Sequence, residues 1–96
     1  MIPVADARSA LTQLVTFVAR GLVDQPDAVR VDVHEDAQGL LVALRVAPGD
    51  MGKVIGRQGR IARALRQVVR AAAARAGTRA MLDIRSSEPT EGERWG

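Results

Sequence analysis

Val54-Ile55-Gly56-Arg57-Gln58-Gly59-Arg60-Ile61 is the stretch on which the fold turns. Two glycines three apart stand between a short apolar segment and a long helical one. Lacking a Cβ, each takes backbone angles closed to other residues, and each lets a bulky group approach the main chain. A helix starting near Arg60 presents unpaired N–H groups and the positive end of its dipole. That is a natural phosphate site. Lys53, Arg57 and Arg60 surround it with mobile positive charge, and Ile55 is placed to floor a base.

Downstream, the helix runs to about Ala76, with an apolar stripe of Ile61, Leu65, Val68, Val69 and Ala72. Arg63, Arg66 and Arg70 fall on its other side, and Gly77 stops it. Arg79 to Arg85 reads as a strand with Ala80, Leu82 and Ile84 on one face. Upstream, Met51, Val54 and Ile55 mark the buried side of a helix of little more than one turn. Asp50 is its expected cap, after the breaker Ala47-Pro48-Gly49. Before that, Leu40 to Val46 and Val29 to His34 alternate as a strand pair joined by a turn at Glu35 to Gly39. Ala7 to Val23 carries Leu11, Leu14, Val15, Val18 and Leu22 at helical spacing, with Asp6 or Ser9 as N-cap. Phe17 is assigned to the core. Pro26 ends this helix.

The order is αββααβ. More than 30 residues separate the second and third strands, which suits a right-handed parallel crossover. The expected fold is α+β, a three-stranded mixed sheet covered on one face by three helices. With 96 residues the chain suits one domain, residues 1–85, followed by a disordered acidic tail at 86–96 that holds Trp95. Apolar content of 47% and charged content of 26% are those of a globular domain.

Charge is uneven. Residues 51–85 carry Lys53 and eight arginines against one acid, Asp83. A field of that sign suits polyanions. There are no cysteines, hence no disulfide and no thiolate metal site. No metal or cofactor is expected. No apolar run has membrane-spanning length, and Met1 to Arg8 lacks a signal-peptide layout, so the expected location is cytoplasmic with no membrane partner.

Residues 54–61 match the KH-domain pattern V-I-G-x-x-G-x-I at every fixed position. The element order resembles the type II arrangement, in which a helix and a strand precede the βααβ unit. The likeness extends to Leu22-Val23-Asp24-Gln25-Pro26-Asp27, to Arg45 through Lys53 and to the run Ala71–Ala74. Together these resemble the small stand-alone bacterial KH proteins of the KhpA family, over residues 9–85. The resemblance implies non-catalytic binding of single-stranded RNA, with the loop gripping about four backbone nucleotides. It places the loop at Gly56, Arg57, Gln58 and Gly59, with flanking contacts from Lys53, Ile55, Arg60 and Arg63. It also implies a global post-transcriptional regulator or RNA chaperone, self-association as a homodimer, a larger Jag-type KH partner, and a link to cell division and cell shape. Aspartate at both Gly56 and Gly59 is expected to abolish RNA binding while leaving the fold intact.

Other classes fit less well. A tight helix–helix connection explains two glycines but not the basic neighbours. A DNA-reading helix-turn-helix does not bring flanking strands. Walker and dinucleotide patterns fail around Gly52-Lys53, and His34, the one histidine, has no nucleophile in view. Asp32, Glu35 and Asp36 read as solvated acids near the hairpin. An assembly module without strong RNA binding is the remaining alternative, compatible with the alanine-rich helix. Phe17 and Trp95 are the only aromatics, too few for a stacking platform.

Overall fold

Strand β2, Gly39–Val46, is the spine of the computed structural model, which describes residues 4–87, with side chains from residue 7 onward. Its Leu40, Val42, Leu44 and Val46 are all buried. Strand β1, Arg30–Asp36, pairs with it antiparallel, and β3, Ala80–Ser86, pairs parallel on the other side. The sheet order is β1-β2-β3, as the long crossover requires.

Helix α1, Val4–Leu22, α2, Met51–Ile55, and α3, Arg60–Arg75, pack on the apolar side of the sheet. Leu11, Val15 and Ala19 from α1, Val54 from α2, and Leu65, Val69 and Ala73 from α3 meet the β2 side chains in one core. The α+β, three-helix reading therefore holds.

Several expectations need correction. Phe17 is 80% exposed, not core. It lies two residues beyond Val15, about 200° round the helix from that buried position. Val68 is 47% exposed, and Ala62 takes its place against the core. Ile55 is on the open side of α2 rather than the buried one. Helix α1 begins at Val4, so neither Asp6 nor Ser9 caps it; the Ser9 hydroxyl instead accepts from Gln13 Nε2 at 3.3 Å. The hairpin turn is only Ala37-Gln38, because β1 runs on to Asp36. Strand β3 includes Ser86, one residue into the expected tail; Glu88 onward, with Trp95, lies outside the described residues.

Asp50 is the most informative correction. It makes no side-chain cap to α2. It is 2% exposed, and among the described residues it is the one buried charged side chain. Its carboxylate accepts from the N–H groups of Asp24 at 3.2 Å and Gln25 at 3.0 Å, just past α1. Lys53 Nζ lies 3.6 Å from Asp50 and 3.1 Å from Asp24. A buried carboxylate is tolerated only with such partners. Burial pushes the Asp50 carboxyl up, but the two N–H donors and Lys53 outweigh it and hold it below its ordinary value of 3.8. Lys53 is raised above its ordinary 10.5, chiefly by its hydrogen bond to Asp24. This staple fixes the start of α2 to the end of α1, and so sets where the glycine loop projects.

Candidate nucleic-acid interface

Val54, fully buried, anchors the last turn of α2. The helix cannot continue past it, because Gly56 adopts φ 77, ψ 170. Its N–H still bonds to Gly52 O at 2.9 Å, and the chain then turns sharply. A Cβ on Gly56 would stand 2.6 Å from Ile61 Cγ1, so Gly56 is required by both angle and space. Gly59 is left-handed at φ 74, ψ 16, but only Arg63 comes near its missing Cβ, at 4.0 Å. Between them Gln58 has φ 57, ψ 23, rare for a residue with a side chain.

Two bonds close this turn, Gly59 N–H to Gly56 O at 3.0 Å and Arg60 N–H to Arg57 O. Neither uses the N–H of Arg57 or Gln58. The helix's first N–H, at Arg60, is thus spoken for, and the amides of Arg57 and Gln58 in the loop itself are left for an anion. Turns of this kind form anion-binding concavities.

The side chains divide by role. Arg57 and Gln58 are exposed, and the Arg57 guanidinium has no hydrogen-bond or ion-pair partner among the described residues. Arg63 donates to the Gln58 carbonyl at 2.9 Å, and Arg60 to Gln58 Oε1 at 3.3 Å. Both arginines expected to touch phosphate therefore also brace the strained residue. Lys53 is turned toward the Asp24–Asp50 staple. Ile55, 36% exposed, flanks the loop as an apolar surface.

Sequence reasoning missed a cleft farther along α3. Arg66 and Arg70 on α3 face Ala80, Met81 and Leu82 of β3 across a shallow cleft. Arg66 Nε donates to Leu82 O at 3.4 Å. Strand β3 is an edge strand, so its outer backbone groups are unpaired by the sheet. The arginine spacing was visible in the sequence; that it faces a free strand edge was not.

A three-stranded mixed sheet under three helices, with a glycine-flanked loop opening α3, defines a KH domain of type II. The comparisons agree. The family model described as KhpA/KhpB, KH domain, matches residues 12–84. RNA-binding protein KhpA of Halalkalibacterium halodurans is 56% identical over 71 residues, 74% of this chain and 93% of that protein. RNA-binding protein KhpA of Caldanaerobacter subterraneus is 50% identical over 72 residues, 75% and 96% of the two chains. RNA-binding protein KhpA of Leifsonia xyli is 45% identical over 74 residues, 77% and 95% of the two chains. This chain belongs to the KhpA/KhpB KH-domain family, which is non-enzymatic.

A crystal structure of Aquifex aeolicus Era bound to GDP.AlF4- shares the fold at TM-score 0.55 and 16% identity. The match covers 82% of this chain and 30% of that one. No helix among the described residues is long and apolar enough to cross a membrane.

Proposed function

We propose that this chain binds single-stranded RNA without acting on it chemically. The backbone amides of Arg57 and Gln58 hold a phosphate, and Arg57 supplies the charge. Arg60 and Arg63 brace the loop and add field, Gly56 and Gly59 permit its path, and Ile55 supports a base. Lys53 serves mainly by fixing α2. The observation that carries this reading is a solvent-facing turn with three positive-φ residues, Gly56, Gln58 and Gly59, whose two intervening amides are not used to close it. The relatives' RNA-binding name supports it.

The double glycine-to-aspartate change is a poor test, because any side chain at Gly56 strikes Ile61. Arg57→Asp with Gln58→Asp is a cleaner one. Both positions are exposed, and aspartate tolerates the left-handed angles of Gln58. The variant is expected to keep the native circular dichroism and melting temperature while RNA affinity falls by about tenfold or more. That follows from a charged hydrogen bond contributing about 1.5–3 kcal/mol. Native folding with unchanged affinity would refute the loop assignment.

In the same reading the protein is cytoplasmic, a single KH domain over residues 1–85, and a global post-transcriptional regulator or RNA chaperone. It acts with a second copy of itself and a larger Jag-type KH protein in division and cell shape. A second reading, assembly with weak RNA binding, is favoured by the exposed Phe17 on the outer face of α1. Loss of self-association on Phe17→Ser, with RNA binding intact, is the result that would show both functions to be present and separable.

A further inference from the structure

The sheet face turned away from the helices carries charge in ordered rows. The pairing register sets Arg30 of β1 opposite Arg45 of β2, and Arg45 beside Arg85 of β3. All three are exposed. Adjacent strands are about 4.8 Å apart, and like charges directly opposite one another destabilise a sheet. Arg85 bonds to Asp83, and Arg30 donates to the carbonyls of Asp27 and Val29. Arg45, in the middle, has no partner among the described residues. Among the described residues, Arg85 is the one member of this row with an acid in contact, so the row repels itself.

The row's position gives it a use. Helix α3 runs antiparallel to β3, with Arg66 in register with Leu82. From Arg66 back to Arg60 is about 9 Å of helix. From Leu82 forward to Arg85 is about 10 Å of strand. The glycine loop and the arginine row thus lie at the same end of the molecule, on either side of the free edge of β3.

We infer that Arg30, Arg45 and Arg85 form a second phosphate-binding row, which takes the RNA strand after it leaves the glycine loop and rounds the edge of β3. This rests on the RNA-binding reading of the loop. Guanidinium forks suit phosphate oxygens. Asp32 and Asp83, one row farther along their strands, confine the path to this end of the sheet. An RNA of about four nucleotides fills the loop site alone; one of about 16 nucleotides has length to spare for both.

The test uses Arg45→Thr and the pair Arg30→Gln with Arg45→Thr, since threonine suits a strand. Affinity is measured for both RNA lengths, and melting temperature without RNA. The pair is expected to bind the longer RNA about tenfold more weakly, as loss of charged contacts implies, and the short RNA as before. Its melting temperature without RNA is expected to stay level or rise. Unchanged affinity for the longer RNA, or equal losses on both lengths, overturns the row. So does a lowered melting temperature with unchanged binding, which would assign the row to a counter-charge within the chain. A change in sedimentation with unchanged RNA binding would assign it to a second copy and overturn it too. If the loop variant loses RNA while the arginine variants bind like the parent, the row fails and the loop reading stands. If the parent binds neither RNA, both fail.

Discussion

At Gly56 a new Cβ would come within 2.6 Å of Ile61, whereas at Gly59 the nearest atom is the end of a flexible arginine at 4.0 Å. Both φ angles are positive, but Gly59 at ψ 16 is left-handed α, whereas Gly56 at ψ 170 is in a region open essentially to glycine alone. Gly56→Ala is therefore expected to destabilise by about 3 kcal/mol, from backbone strain plus overpacking. Gly59→Ala is expected to cost about 1 kcal/mol, the left-handed penalty alone. Urea denaturation of the two variants checks this; equal losses would mean that the Ile61 contact is not what fixes Gly56. The two-glycine spacing was plain in the sequence, but the inequality of the glycines was not. It depends on how Ile61 folds back from the first turn of α3. The strain at Gln58 was equally hidden, since glutamine is no signal for a positive φ and its brace by Arg63 spans five residues.

Helix α2 has five residues, too few to hold itself together. The Asp50 staple does that work, and it titrates. The Asp50 carboxyl is held below 3.8 in the folded chain, so its stabilising share is present above that value. The share is lost as pH falls from there through the depressed folded value. Lys53 has the opposite sign: its share is full below 10.5 and lost as pH rises past the raised folded value. Asp50→Asn is expected to lower the melting temperature at neutral pH and to flatten its decline below about pH 4, relative to the parent. Parallel melting curves across that range would contradict the staple. The sequence showed an acid after Pro48-Gly49 and suggested a cap. The true acceptor role depends on the amides of Asp24 and Gln25, brought in from 26 and 25 residues away. Element order, by contrast, was legible throughout, because strand alternation and helix spacing are local. Phe17 shows the limit: its helical position pointed outward, and its residue type suggested the core.

Across the whole molecule, the basic loop and the arginine row share one end. The loop, the start of α3 and the arginine row on the open sheet face all lie there, while Glu35 and Asp36 lie at the hairpin. The excess of arginine after residue 50 was readable in the sequence, but its division between two faces required the register. Three or four phosphate contacts give a slope of about −2 to −3 in log affinity against log salt. Raising salt from about 50 to 200 mM is thus expected to weaken RNA binding about thirtyfold. A flat salt response in fluorescence-anisotropy titrations would contradict a phosphate-led mode.

The central claim concerns two amide groups, and nuclear magnetic resonance observes them one by one. Titrating a short single-stranded RNA into the labelled protein is predicted to move the Arg57 and Gln58 amide signals most. Smaller shifts are predicted along the α3 side facing β3, with the Phe17 face of α1 unmoved. Saturable shifts centred on α1, with the signals of residues 56–60 left in place, would contradict the account.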